Sequence, residues 1–142
     1  MELTSALHDL FGFGEFRRGQ REAAEAALAG RDVLVVMPTG SGKSLCYQLP
    51  GLLREDLTVV VSPLVALMQD QVEALAARGL GDRVALVNAQ QDGTTNAGVL
   101  ARAAAGDLRL LYVAPERFAA PGFLERMRQV RGQFQTEEQF RD

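Results

Sequence analysis

Short apolar runs and helical amphipathic stretches alternate along the chain. The runs at Asp32–Met37, Leu57–Val61, Arg83–Val87 and Leu108–Val113 are rich in Val and Leu and bounded by polar or turn residues, which predicts short strands buried on both faces. Helical spacing is read over Leu3–Leu10, interrupted by the turn residues of Phe11–Gly14, and over Arg18–Ala29, where Ala and Leu share one face, Arg21, Glu22 and Glu25 the exposed one, and Gly30 is the stop. A further helix opens at Lys43 and is ended or kinked by Pro50. Ser62-Pro63 reads as an N-cap with proline at the first helical position, opening a helix that runs to about Arg78 and closes at Gly79, with Leu64, Leu67 and Met68 at core spacing. Gly93–Gly98 reads as a flexible turn, Val99–Ala105 as the end of a helix stopped by Gly106, and Phe123–Val130 as a last helix. Strand–helix–strand order of this kind predicts an α/β chain with a parallel sheet and helices on both faces.

Composition removes several alternatives. With 142 residues, 47% hydrophobic and 23% charged, the chain has the size of one globular domain or part of one, and fibrous or disordered classes are excluded. No apolar run approaches the ~18 residues of a membrane span. One cysteine, Cys46, and one histidine, His8, offer neither an internal disulfide nor a zinc site, so a reducing, cytoplasmic setting without a membrane is expected. A net charge of −3 argues against holding nucleic acid by bulk electrostatics, but not against a local phosphate-contacting surface. Every basic residue except Lys43 is arginine, which marks position 43 as one that demands a compact ammonium.

Lys43 sits where such a group has chemistry to do. The strand Val33–Met37, the turn Pro38-Thr39-Gly40-Ser41-Gly42 and the helix beyond form the context in which a Gly-rich loop cradles phosphate. Gly40 and Gly42 let successive backbone N–H groups approach an anion, Lys43 reaches the β- and γ-phosphates of a nucleotide, and the Ser44 hydroxyl is placed to coordinate Mg²⁺. The strict pattern G-x-x-x-x-G-K-[ST] fails at its first position, where Met37 stands in place of glycine.

That departure carries a family resemblance. Met37–Ser44, reading M-P-T-G-S-G-K-S, resembles motif I of superfamily-two helicases, and its extension Leu45-Cys46-Tyr47-Gln48-Leu49-Pro50 resembles the RecQ branch. Phe13 with Phe16-Arg17-Arg18-Gly19-Gln20 is similar to the RecQ motif 0, Val61–Gln71 to motif Ia, and Leu110–Arg117 to motif Ib, in that order. The resemblance implies a partial RecA-like P-loop lobe of an ATP-dependent DNA helicase, 3′-to-5′ in direction and acting in repair or recombination, with ATP and Mg²⁺ as cofactors. It implies a bacterial, nucleoid-associated cytoplasmic protein whose full-length parent takes single-stranded DNA or a single/double-strand junction. It places adenine between Phe13 and Arg17, with the Gln20 amide on the base edge; an amide offers the donor and acceptor that match adenine N6 and N7. Thr39, Gly40, Ser41, Gly42, Lys43 and Ser44 hold the phosphates. Ser62, Pro63 and Arg117 are the implied strand contacts, although Arg117 reads equally well as a surface arginine paired with a carboxylate.

On this reading residues 1–30 carry motif 0, 31–130 a partial ATP-binding domain, and 131–142 a polar, disordered tail. No apolar strand ending in Asp-Glu follows Ser44, so the carboxylates that organise Mg²⁺ and water are expected to lie outside the chain. The chain is then expected to be cut short before motif II, unable to hydrolyse ATP or unwind DNA alone, and marginally stable because missing strands leave a bare parallel edge. The alternative is a stand-alone ATP- or DNA-binding module without turnover. A small-molecule kinase is disfavoured by the adenine-reading block before the loop. Cys46 reads as a buried small hydrophobe, and His8 as an exposed residue without a partner.

Overall fold

A computed structural model of the chain describes residues 3–31, 42–88, 91–128 and 132–136. The expected strand Asp32–Met37 and the loop residues Pro38, Thr39, Gly40 and Ser41 therefore lie outside the described residues. Two compact units divide after Arg54.

The first unit is helical where described: α1 (Leu3–Phe11), α2 (Gln20–Leu28) and α3 (Leu45–Leu53). α1 and α2 are amphipathic, burying Leu3, Ala6, Leu7 and Phe11 on one and Ala23, Ala24 and Ala27 on the other. The Arg21 guanidinium donates to Thr4 Oγ1 at 2.8 Å, tying α2 to α1. α3 is buried from Leu45 to Leu52, as a helix apolar at all but Gln48 of these positions must be, and α2 packs against it. Pro50 does not end this helix, which runs on to Leu53; it is accommodated inside, and its carbonyl accepts the Arg54 N–H at 3.0 Å.

The second unit is a four-stranded parallel sheet. β1 (Leu57–Val61) is flanked by β3 (Leu110–Val113) and β4 (Gly132–Thr136), and β2 (Val84–Val87) pairs with the far side of β3, giving the order β2-β3-β1-β4. Register runs Thr58↔Leu110 to Val61↔Val113 and Leu57↔Gly132 to Val61↔Thr136. Leu57, Val59, Ala85, Val87, Leu111 and Val113 share one face and form a core with Val99, Leu100 and Ala103 of α5 (Gly93–Ala104) and Phe123 and Met127 of α6 (Phe123–Arg128). Alternation puts Thr58, Val60, Leu110 and Tyr112 on the opposite face, all buried, as expected of parallel strands.

Four expectations are corrected. Residues 132–136, expected within a disordered tail, form β4, because a parallel partner needs backbone groups at the open edge of β1 and not an apolar sequence. That edge of β1 is therefore paired, not bare. Gly93–Gly98 is the first half of α5 rather than a flexible turn: the Asp92 carboxylate accepts the Thr95 N–H at 2.7 Å and offsets the cost of the glycines. α4 (Val65–Ala77) starts beyond Ser62-Pro63; Ser62 Oγ accepts the Leu64 N–H at 3.2 Å, closing a turn ahead of the helix, and Leu64 is half exposed while Met68 and Leu75 are buried.

Candidate functional site

Gln20 is the centre of the described site in the first unit. It is the first residue of α2, only 4% exposed, and its side chain is fixed at both ends. Oε1 accepts the Arg17 N–H at 2.7 Å, and Nε2 donates to the Gly42 carbonyl at 3.1 Å. One amide thus joins the turn entering α2 to the last residue of the Gly-rich loop, 22 positions along the chain. Gly42 has φ +82°, and a Cβ built there would lie 2.5 Å from Gln20 Nε2, so glycine is required by both conformation and space. A carboxamide has two N–H groups and two lone pairs; Gln20 spends one of each on these two bonds.

Beyond Gly42, Lys43 and Ser44 lead directly into α3, and both are half-buried. Among the described residues no carboxylate pairs with the Lys43 ammonium. A cation at a helix N-terminus, beside a glycine that admits no side chain and has the Arg17 guanidinium 3.9 Å from its Cβ position, fits a polyphosphate, and Ser44 supplies an oxygen suited to Mg²⁺. Phe13 is 49% exposed and Arg17 is exposed, both on the segment between α1 and α2, as a base-stacking pair requires. Thr39, Gly40 and Ser41 lie outside the described residues. Cys46, fully buried two residues into α3, has its thiol pushed up to about 11, chiefly by burial.

The implied strand contacts belong to the second unit. Ser62 is buried with its Oγ held by the Leu64 N–H, whereas Pro63 is exposed. Arg117 lies on the 3₁₀ turn Pro115–Ala119 after β3, and among the described residues no carboxylate pairs with it. Its guanidinium stands 5.9 Å from the Phe123 ring centroid, and its buried Nε–H has no acceptor. Sequence reading missed the buried polar cluster beside it. Asn96 donates to the Asn88 carbonyl at 3.0 Å and accepts from Gln91 Nε2 at 2.7 Å, fixing the start of α5 to the end of β2. Its only signal was three amide side chains close in sequence, which composition does not distinguish from a loop. His8 is exposed, with its Nδ1 3.5 Å from Asp9 Oδ1.

Comparison with known proteins places this arrangement. Residues 17–136 match the model of the DEAD/DEAH box helicase family. The chain is 47% identical over 117 residues to the ATP-dependent DNA helicase RecQ of Pasteurella multocida, covering 82% of this chain and 18% of that protein. It is 40% identical over 129 residues to the probable ATP-dependent DNA helicase RecS of Bacillus subtilis, covering 91% of this chain and 25% of that one. The chain thus spans a quarter or less of the length of these relatives. Among solved structures, the helicase MrfA bound to DNA shares the fold at TM-score 0.71 and 21% identity over 90% of this chain and 19% of that one. A hypothetical ATP-dependent RNA helicase from Sulfolobus tokodaii matches at TM-score 0.63 and 24% identity, over 82% of this chain and 34% of its own.

Proposed function

Because the chain belongs to the DEAD/DEAH box helicase family, with RecQ helicases among its relatives, we propose that it is the ATP-binding part of a RecQ-like ATP-dependent DNA helicase. The supporting observation is the Gln20 amide, which ties the base-reading turn to the end of the Gly-rich loop. In this reading Phe13 and Arg17 stack on adenine and the Gln20 amide reads its edge. Thr39 to Gly42 line the phosphates, Lys43 neutralises them and Ser44 holds Mg²⁺. When bound, Mg²⁺ held by Ser44 would neutralise charge on the phosphates; the residues named here bind and orient the nucleotide. Single-stranded DNA, or its junction with duplex, passes over Pro63 and Arg117, with Ser62 shaping the turn that presents Pro63. The activity proposed for the complete helicase is 3′-to-5′ unwinding in DNA repair or recombination, in the bacterial cytoplasm and nucleoid.

The residues of this chain alone bind ATP without turning it over. Titration calorimetry with Mg²⁺–ATP tests this, with phosphate release followed in the same samples. Binding that is lost in Lys43→Ala, weakened in Gln20→Ala and unaccompanied by DNA-stimulated phosphate release is the expected result. No binding by folded chain overturns it. One observation favours a second reading with turnover: β4 runs parallel to β1, and Glu137-Glu138 follow it directly in the sequence, a carboxylate pair after a parallel strand. Phosphate release above background that disappears in Glu137→Gln or Glu138→Gln would select that reading.

A further inference from the structure

A cavity of about 280 Å³ opens within the second unit between α5, the turn carrying Arg117, and α6. Its apolar floor includes Ala97, Leu100 and Phe123, and its polar lining is Asn96, Arg117 and Arg126, with no carboxylate. Glu116, beside Arg117 on the same turn, is exposed and outside the lining, and the other acidic side chains near in sequence are committed elsewhere. Glu125 accepts from Arg128 at 2.9 Å, and the Asp92 carboxylate accepts the Thr95 N–H. Among the described residues neither the Arg117 nor the Arg126 guanidinium forms an ion pair. Among the described residues the Arg117 guanidinium rests on the Phe123 ring and keeps an unsatisfied, buried Nε–H. Two guanidinium groups facing one cavity repel each other, and a desolvated donor without an acceptor is costly.

We propose that this cavity binds a phosphate group, gripped by Arg117 and Arg126, with the organic body of the ligand on the apolar floor. Guanidinium is the side chain matched to phosphate, and the volume lies just below that of ordinary ligand pockets, ~300–1,000 Å³, which suits a single phosphate ester. The inference goes beyond the strand contact of Arg117, because Arg126 and the α5 wall lie outside every helicase-like motif of the sequence. The phosphate comes either from a nucleic-acid backbone or from a free phosphate.

The buried Nε–H of Arg117 is a reporter shielded from exchange, observable by proton–nitrogen NMR of the full chain carrying Lys43→Ala, which removes the other phosphate-seeking cation. The probes are inorganic phosphate and a short oligothymidylate. A saturable shift of the Arg117 Nε–H is expected with at least one of them, weakened at least about tenfold by Arg126→Gln and unchanged by Arg102→Gln on the exposed side of α5. A shift with phosphate identifies a free phosphate as sufficient, and a shift with the oligonucleotide alone identifies a backbone phosphodiester. Arg126 is exposed, so its variants keep the fold, and Arg126→Glu repeats the test with reversed charge. An unmoved Arg117 signal, or equal affinity in the Arg126 variants, overturns the cavity. Fluorescence anisotropy of the same oligonucleotide judges the strand reading separately: binding with a silent Arg117 sinks the cavity alone, whereas phosphate response without oligonucleotide binding sinks the strand reading alone.

Discussion

The carboxamide of Gln20 and the missing side chain of Gly42 are one device. Gly42→Ala places a Cβ 2.5 Å from Nε2 and forces a non-glycine residue to φ +82°, so unfolding free energy should fall by about 1–3 kcal/mol in urea titration. Gln20→Ala leaves the Arg17 N–H and the Gly42 carbonyl without their partner and should cost about 1–3 kcal/mol as well. Since the alanine methyl at 42 collides with the very group that Gln20→Ala removes, the double variant should lose less than the sum; strict additivity would show that the two do not touch. Cys46 gives a pH prediction. Its folded pKa near 11 lies above the ordinary 9.0, so between these values the unfolded chain releases a proton that the native chain keeps. The Cys46 contribution to stability is complete below pH 9 and declines as pH rises toward 11, and Cys46→Ala should flatten that part of the melting-temperature profile. Sequence alone marked Gln20 for base reading and Cys46 for burial, but a hydrogen bond spanning 22 residues is a product of packing and leaves no periodic trace.

At the scale of elements, the apolar strands β1, β2 and β3 were legible, whereas the starts of α4 and α5 were not. β1 was read to the residue because Val and Leu at consecutive positions have few alternatives to a doubly buried strand. α5 was read only from Val99, because Gly93 and Gly98 lower helix propensity and hide a start that Asp92 establishes by a single hydrogen bond. The same ambiguity misplaced α4: Ser-Pro satisfies the capping pattern, yet Ser62 spends its oxygen on the Leu64 N–H before the helix begins. Asp92→Ala should therefore lower the melting temperature and raise amide exchange selectively over the first turn of α5. The Thr95 N–H holds the Asp92 carboxyl below its ordinary 3.8, so this contribution is present above that value and lost as pH falls through the lower native one. Asp92→Asn, which keeps an acceptor, should restore most of the exchange protection and remove the acid dependence.

For the molecule as a whole, the decisive element is the one least visible in the sequence. β4 is polar, breaks the Val/Leu pattern of the other strands and sits where a frayed tail was expected, yet it pairs with β1 along five positions. A strand recruited by an open parallel edge draws on backbone groups that every residue carries, which is why hydrophobic pattern missed it. Its contribution can be isolated. The chain shortened to end at Arg131 bares β1 at the position now taken by Gly132–Thr136, and exposed parallel edges template association. The shortened chain should melt lower by at least roughly 2–4 °C, the shift expected for each kilocalorie per mole lost by a protein of this size, and should sediment with concentration-dependent association stronger than that of the full chain. Equal melting temperatures and equal sedimentation would mean that β4 rests on the sheet without supporting it. In that case the second unit would be complete as β2-β3-β1, and the sequence pattern would already have named every strand that matters to it.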